Sequence, residues 1–376
     1  MKNKYKIIGL MSGTSVDGLD IALVNIEDSN ELKIELQKFD IVKYPNELKN
    51  KIIKAINNQA TTKDICSLNF EIAYFYAECV NNFLKDSNIK NNEIDLISSH
   101  GQTIYHLIDP SGSQVKSTLQ IGDISVISKK TNIMTVGDFR TADMALSGQG
   151  APLVPIFDYY LNKDKNYVSL FQNIGGMSNV SVIYKDIDKV FAFDNGPGNI
   201  LIDLAVNKLY NQECDYDSKI ALKGKINNQI ISFLLDDPYY KTKPPKSTGR
   251  EKYTSLFVDN LIAKFIDVPK EDLIHSLTYF SALVIANSYK DFIFKDNQDY
   301  KVFVSGGGAR NKLMVQYLKE LIDYPVLLSD QININYDAKE AIAFAFLGYL
   351  NLKNINSNVK NATGAQKYTV LGKIAK

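Results

Sequence analysis

Residues 6–26, KIIGLMSGTSVDGLDIALVNI, set two apolar runs around a small, hydroxyl-rich insert, the pattern of strand, turn and strand. Helical spacing follows over 46–60 and 64–86. Residues 94–106 read as a short apolar strand running into a polar, glycine-containing loop, and 118–155 as alternating strands and short helices. A second strand–turn–strand unit spans 167–186, and even the Met-Ser pair at 11–12 returns at 177–178. That echo predicts two similarly built lobes. Residues 190–210 read as strand, Gly/Pro turn and helix, and 301–322 as strand, triple glycine and helix. Further helices are expected over 226–236, 254–267, 274–295 and 337–352, the last with Asp337 as N-cap and Glu340 completing a capping box. The Asn/Lys-rich stretch 351–361 reads as a surface loop without chemistry. Strands alternating with helices throughout predict an α/β class, divided near residue 160 into lobes 1–160 and 161–376, with room for the C-terminal segment to return to the first lobe.

Composition narrows the function classes. Forty-three Lys plus Arg balance forty-two Asp plus Glu, a formal charge of +1 that offers no broad footprint for nucleic acid or an anionic membrane. No run approaches the roughly 18–20 apolar residues of a membrane-spanning helix, and residues 7–11 are too short for a signal-peptide core. Three scattered cysteines and three histidines argue against a disulfide framework or a zinc site. The expectation is a reduced, cytoplasmic protein.

Three glycine-rich turns follow strands, at 12–18, 195–198 and 306–308, and none fits the phosphate-loop lysine motif or the dinucleotide fingerprint. Together they suit a nucleotide site in which hairpin turns hold the phosphates and the triple glycine lies against the nucleoside. Hydroxyls and free amides in the first turn suit an anion, and Asp17 and Asp20 suit a hydrated cation. The competing reading for Gly306, Gly307 and Gly308 is tight helix–strand packing.

The blocks GLMSGTSVDGLDIALV, SSHGQTIYH, DFRTADMALSGQGAPLVP, NIGGMSNVS, FDNGPGN, STGREKY, SGGGARN and DAKEAIAFAFLGYL occur in an order that resembles the anhydro-N-acetylmuramic acid kinases, from about residue 5 to residue 364. The resemblance implies a two-lobed actin-like, ribonuclease H-like sugar-kinase fold, with mixed sheets flanked by helices and ATP in a central cleft. It also implies ATP and Mg²⁺ as cofactors, a small amino-sugar substrate and a homodimer. The implied reaction opens a 1,6-anhydro ring with water and phosphorylates O6. Asp194 matches the family's catalytic aspartate, the base for the attacking water, and Glu340 either hydrogen-bonds the sugar and orients that water or merely caps its helix. Gly13, Thr14, Ser15, Val16, Asp17, Gly18, Leu19 and Asp20 align with the ATP-phosphate loop, with Asp17 and Asp20 holding Mg²⁺ through water. Gly175, Gly176, Gly196, Gly198, Asn199, Gly306–Gly308 and Asn311 complete the ATP set.

Ser99, His100, Gly101 and Arg140 are the substrate candidates. Arg140 either forks onto the lactyl carboxylate or forms a structural ion pair with Asp138 or Asp143, and His100 either contacts the sugar or caps its loop. Lys243, Lys246 and Arg250 belong to a charged loop that either closes over phosphate or is simply solvated. Ser147 stands where the family usually has glycine, and the C-terminal segment keeps Thr363-Gly364-Ala365 without much of the usual proline-containing stretch. Two alternatives remain open: an ordinary hexose or amino-sugar kinase of the same fold, and a nucleotide-dependent actin- or chaperone-like binding protein.

Overall fold

The computed structural model describes residues 2–29, 32–249, 252–328 and 337–376, so Arg250 lies outside the described residues. The chain forms two compact units, Met1–Phe157 with Asp337–Lys376, and Asp158–Tyr336.

In the first unit β1 (Lys4–Ser12), β2 (Gly18–Asp28) and β3 (Leu32–Lys43) form an antiparallel meander. β4 (Leu96–Leu107) pairs parallel to β1, β5 (Ser117–Ile121) folds back on β4, and β6 (Thr135–Gly137) pairs parallel to β4. The second unit repeats this plan. β7 (Val168–Ile174), β8 (Met177–Ile183) and β9 (Phe191–Pro197) form the meander. β10 (Tyr300–Ser305) runs parallel to β7, and β11 (Val326–Leu328) parallel to β10. The C-terminal β12 (Lys373–Ala375) pairs antiparallel with β6 of the first unit. The same strand order and sense in both units give the mixed α/β sheets expected, and the echo between residues 6–26 and 167–186 marks the first hairpin of each.

Alternation decides which face of each strand is covered. Ile8, Leu10, Ile21 and Leu23 pack with Leu48, Ile52, Leu68, Ile72 and Tyr76 of helices Asn46–Ile56 and Thr62–Asp86. The second helix starts on a capping box between Thr61 and Asp64. The opposite face lies under helix Lys339–Leu352, buried on all sides from Ala341 to Asn351. That helix comes close because Gly9 carries no side chain: a Cβ there would stand 1.9 Å from the Ala341 carbonyl oxygen.

Three expectations change. The polar, glycine-containing loop expected within 94–106 is strand: β4 continues to Leu107 through a bend at Gly101, where φ is +75°. The pairing that holds this extension comes from β5, a partner that local pattern does not reveal. Asp337 is not the N-cap of the helix expected at 337–352; that position is Ala338, with no side-chain cap, so Glu340 is released from a capping box. Finally, the stretch 351–361 is no surface loop, because Asn351, Ser357 and Asn358 are buried. Asn351 donates to the Leu371 and Gly372 carbonyls, and the Ser357 hydroxyl accepts the Leu371 N–H. These bonds fasten the C-terminal segment to the first unit.

Candidate active site

The turn between β1 and β2 is open where a ligand would need it and packed where it would not. Thr14 and Ser15 are exposed, and a Cβ on Gly13 would meet nothing nearer than the Ser15 hydroxyl at 3.7 Å. A Cβ on Gly18, by contrast, would lie 2.4 Å from the Val42 carbonyl oxygen, so that glycine serves strand pairing. Val16 is buried at φ +56°, an unusual conformation for a β-branched residue and the one strained backbone position in the turn. Leu19 is a core residue. Beneath the turn lies a buried polar cluster that sequence reasoning missed. Ser12 hydrogen-bonds Gln102 and the Tyr44 hydroxyl (2.7 Å), Tyr44 meets Tyr76 (2.9 Å), and Gln102 Nε2 donates to the Gly13 carbonyl (3.2 Å). Burial pushes the Tyr44 phenol up to about 12 and Tyr76 well above its ordinary value, so both stay protonated. The only signal for this cluster was Gln102 within the SSHGQT block.

Asp17 and Asp20 part company. Asp17 points outward to Lys49 Nζ (3.3 Å). Asp20 is half-buried, and burial, then the nearby Glu340 and Asp337, raise its carboxyl to about 6. Glu340 stays open to solvent, yet protein crowds its carboxyl and raises it above the usual range, with Lys339 and Arg140 pulling it down. Asp20 is thus costly to ionise in the folded protein. Its folded pKa lies above its unfolded value, so the contribution is nil below about pH 4, grows more destabilising as pH rises from there to about 6, and is full above that. Asp20→Asn should therefore stabilise the ligand-free protein at pH 7.5 by roughly 1 kcal/mol, a figure discounted for partial exposure. In a thermal-melt series the advantage over wild type should shrink to nothing near pH 4.

His100 and Arg140 form the second cluster of this unit. His100 is buried, its ring against Phe344, with Nδ1 3.2 Å from the Ser12 carbonyl and Nε2 2.7 Å from Arg140 Nη2. A guanidinium only donates, so Nε2 accepts and Nδ1 carries the proton it donates to Ser12. Burial and the Arg140 charge hold this imidazole down at about 3. Arg140 Nη1 donates to the Gly150 carbonyl (2.7 Å). Burial lowers the guanidinium to about 10, Glu340 opposing, and it stays cationic at neutral pH. The ion pair expected with Asp138 or Asp143 is not formed. Asp138 pairs with Thr141 and Lys373, while Asp143 accepts from Gly150 N (2.8 Å), Asn358 Nδ2 (3.0 Å) and Thr363 Oγ1 (2.8 Å). Ser99 is buried with its hydroxyl accepting the Gly101 N–H, so both residues shape the bend that presents His100. Ser147 sits at φ +69°, which explains why glycine is usual there.

In the second unit the glycine turns converge around Ile174. Gly198 N–H and Ile200 N–H donate to the Gly176 carbonyl (2.8 and 3.0 Å), and Asn199 N–H to the Gly175 carbonyl (2.8 Å). A Cβ on Gly306 would lie 2.6 Å from the Ile174 carbonyl oxygen and one on Gly308 2.3 Å from Ile174 Cγ2, so these two serve packing. Gly307 is the open member: its nearest neighbour would be Asn199 Nδ2 at 3.6 Å. Asn311 is buried as the N-cap of helix Lys312–Leu321, accepting from Met314 N (3.0 Å) and the Ser218 hydroxyl (2.7 Å). Gly196, at φ +148°, bends β9 just past Asp194.

Asp194 is held by one loop. Its Oδ2 accepts the Thr248 N–H (3.0 Å), its carbonyl accepts the Tyr239 hydroxyl (2.7 Å), and its N–H donates to the Lys246 carbonyl (3.1 Å). Lys246 does not face solvent. Its ammonium donates to the Tyr239 carbonyl (3.2 Å) and lies over the rings of Tyr239 (4.7 Å) and Phe292 (4.8 Å), which makes it an anchor for the loop. Lys243 is exposed.

No helix among the described residues is long and apolar enough to cross a membrane. Among solved structures, component A of the (R)-2-hydroxyglutaryl-CoA dehydratase of Acidaminococcus fermentans is similar at 13% identity and TM-score 0.46, over 92% of this chain and 98% of that one. A family model described as anhydro-N-acetylmuramic acid kinase matches residues 5–376. The anhydro-N-acetylmuramic acid kinase of Caldanaerobacter subterraneus subsp. tengcongensis is 41% identical over 100% of this chain and 98% of its own length. That of Francisella tularensis subsp. novicida is 40% identical over 99% of each. Matched end to end at this level, the chain belongs to the anhydro-N-acetylmuramic acid kinase family.

Proposed function

We propose that this chain is an ATP-dependent kinase that opens 1,6-anhydro-N-acetylmuramic acid with water and phosphorylates O6, giving N-acetylmuramic acid 6-phosphate and ADP. The end-to-end family match carries the reading, with Asp194 fixed by the Thr248 N–H at the end of β9 beside the glycine turns. Asp194 takes a proton from the water that attacks C1. The C1–O6 bond breaks, O6 attacks the γ-phosphorus, and ADP leaves, so each bond formed is matched by one broken.

In the first unit the amides of Gly13, Thr14 and Ser15 are assigned to phosphate oxygens. Arg140 is assigned to the lactyl carboxylate, and Glu340 to the sugar or the attacking water. In the second unit the open backbone at Gly307 and the Asn199 side chain are assigned to the nucleotide. Among the described residues no three acidic, His or Cys side chains converge to hold a metal alone. Mg²⁺ needs less than that, because it keeps several waters and takes one or two carboxylates beside phosphate oxygens. Half-buried Asp20 fits such a water-held ion, and Asp17, turned out to Lys49, does not. The ion would neutralise charge on the phosphates. A cytoplasmic homodimer completes the proposal.

Incubation with Mg-ATP and the anhydro sugar in ¹⁸O-water, followed by mass spectrometry, tests it. The expected product carries one phosphate and one heavy oxygen. ADP release only with plain hexoses or amino sugars would instead make the chain an ordinary sugar kinase.

A further inference from the structure

The guanidinium of Arg140 is bound on two sides by neutral acceptors, the Gly150 carbonyl and the His100 ring nitrogen, each at 2.7 Å. No carboxylate among the described residues lies within ion-pair distance of it, although Asp138 and Asp143 are near in sequence and fully engaged elsewhere. Glu340 acts on its charge from beyond that distance, and a half-buried cation with no carboxylate bonded to it is costly unless an anion arrives with a ligand. The two acceptors have a second effect: they fix the plane of the fork, leaving the direction of its remaining N–H groups no freedom.

We propose that His100 is a positioning residue for carboxylate recognition, its unprotonated Nε2 steering Arg140 toward the acid group of the sugar without itself touching the substrate. This rests on the function proposed above. The ring is locked for the task. Its proton is on Nδ1, spent on the Ser12 carbonyl at the end of β1, and Phe344 and the bend at Gly101 hold the ring in place. A histidine that turned over or took up a second proton would present an N–H to Arg140, which has no acceptor to receive it, and would push the guanidinium away.

Isothermal titration calorimetry of the full-length protein separates this role from simple packing. His100→Phe keeps a flat ring against Phe344 but removes the acceptor. It should weaken 1,6-anhydro-N-acetylmuramic acid binding about 10- to 100-fold, the worth of one hydrogen bond to a charged group. ATP affinity should stay within about twofold. His100→Gln restores an acceptor oxygen and should recover sugar affinity to within about threefold of wild type. The same sugar without its lactyl acid, 1,6-anhydro-N-acetylglucosamine, should bind the Phe variant as it binds wild type. The proposal is overturned if the Phe variant binds the acid sugar normally, if Gln fails to recover it, or if both sugars weaken in parallel. Wild-type protein that binds neither sugar would instead sink the proposed function.

Discussion

Asp194→Asn should lower kcat by about a thousandfold while the fold and the KM for ATP stay close to wild type. The bonds around this residue make the variant a clean one. The bonds from the Tyr239 hydroxyl and to the Lys246 carbonyl use Asp194 backbone atoms that the substitution leaves alone. The bond from the Thr248 N–H can be accepted by an amide oxygen as well as by a carboxylate. What asparagine cannot do is take a proton from water. If water attack and phosphoryl transfer are one coupled event, incorporation of ¹⁸O and formation of the phosphate ester should fall together. A variant that keeps kcat within threefold would move the base elsewhere, and Glu340, solvent-accessible with its carboxyl raised above the usual range, would be the next residue to substitute.

How far the sequence could carry these assignments depends on whether a residue's partners are local. The open turn at Gly13 and the place of Asp194 near a strand end were legible because glycine and hydroxyl after an apolar run, and a carboxylate ahead of a Gly-Pro-Gly turn, mark strand ends whatever the rest of the chain does. The repeated plan of the two sheets was legible from one echo, since a strand–turn–strand opening commits the next strand to pair alongside it. The triple glycine was not separable by pattern. Gly306 and Gly308 answer to the backbone and side chain of Ile174, Gly307 to open space, and only the meeting of β7 with β10 tells them apart. Lys246 read as part of a loop either closing over phosphate or solvated, because nothing local shows that Tyr239 and Phe292 surround it. Asn311 read as a nucleotide ligand although its cap on Met314 is local, because its bond to Ser218 is made across nearly a hundred residues. Asn358 looked like solvated filler, yet it is buried against Asp143, some two hundred residues earlier.

That last contact leads to the second large effect. Asp143→Ala should destabilise the protein by about 3 kcal/mol or more in chemical denaturation, and weaken binding of the acid sugar as well. Asp143 is fully buried, and its oxygens satisfy the Gly150 N–H, the Asn358 amide and the Thr363 hydroxyl at once. Alanine would strand all three donors where water does not reach, at about 1–3 kcal/mol for each that finds no new partner. The cost to binding arises because Gly150 is also the residue whose carbonyl grips Arg140. Loosening the loop at residues 146–150 therefore loosens the fork on one side, as His100→Phe does on the other. The Thr363-Gly364-Ala365 motif gains a purpose in the same way, since Thr363 also receives the Gln149 N–H on its carbonyl and so ties the C-terminal segment to this loop twice. Thr363→Val removes one donor together with its need for a partner, so it should cost only about 1 kcal/mol. In the Asp143→Ala background it should cost less still, because the oxygen it served has gone. Full additivity of the two substitutions would mean that Asp143 does not hold the C-terminal segment through Thr363, and the loop would then owe its position to packing alone.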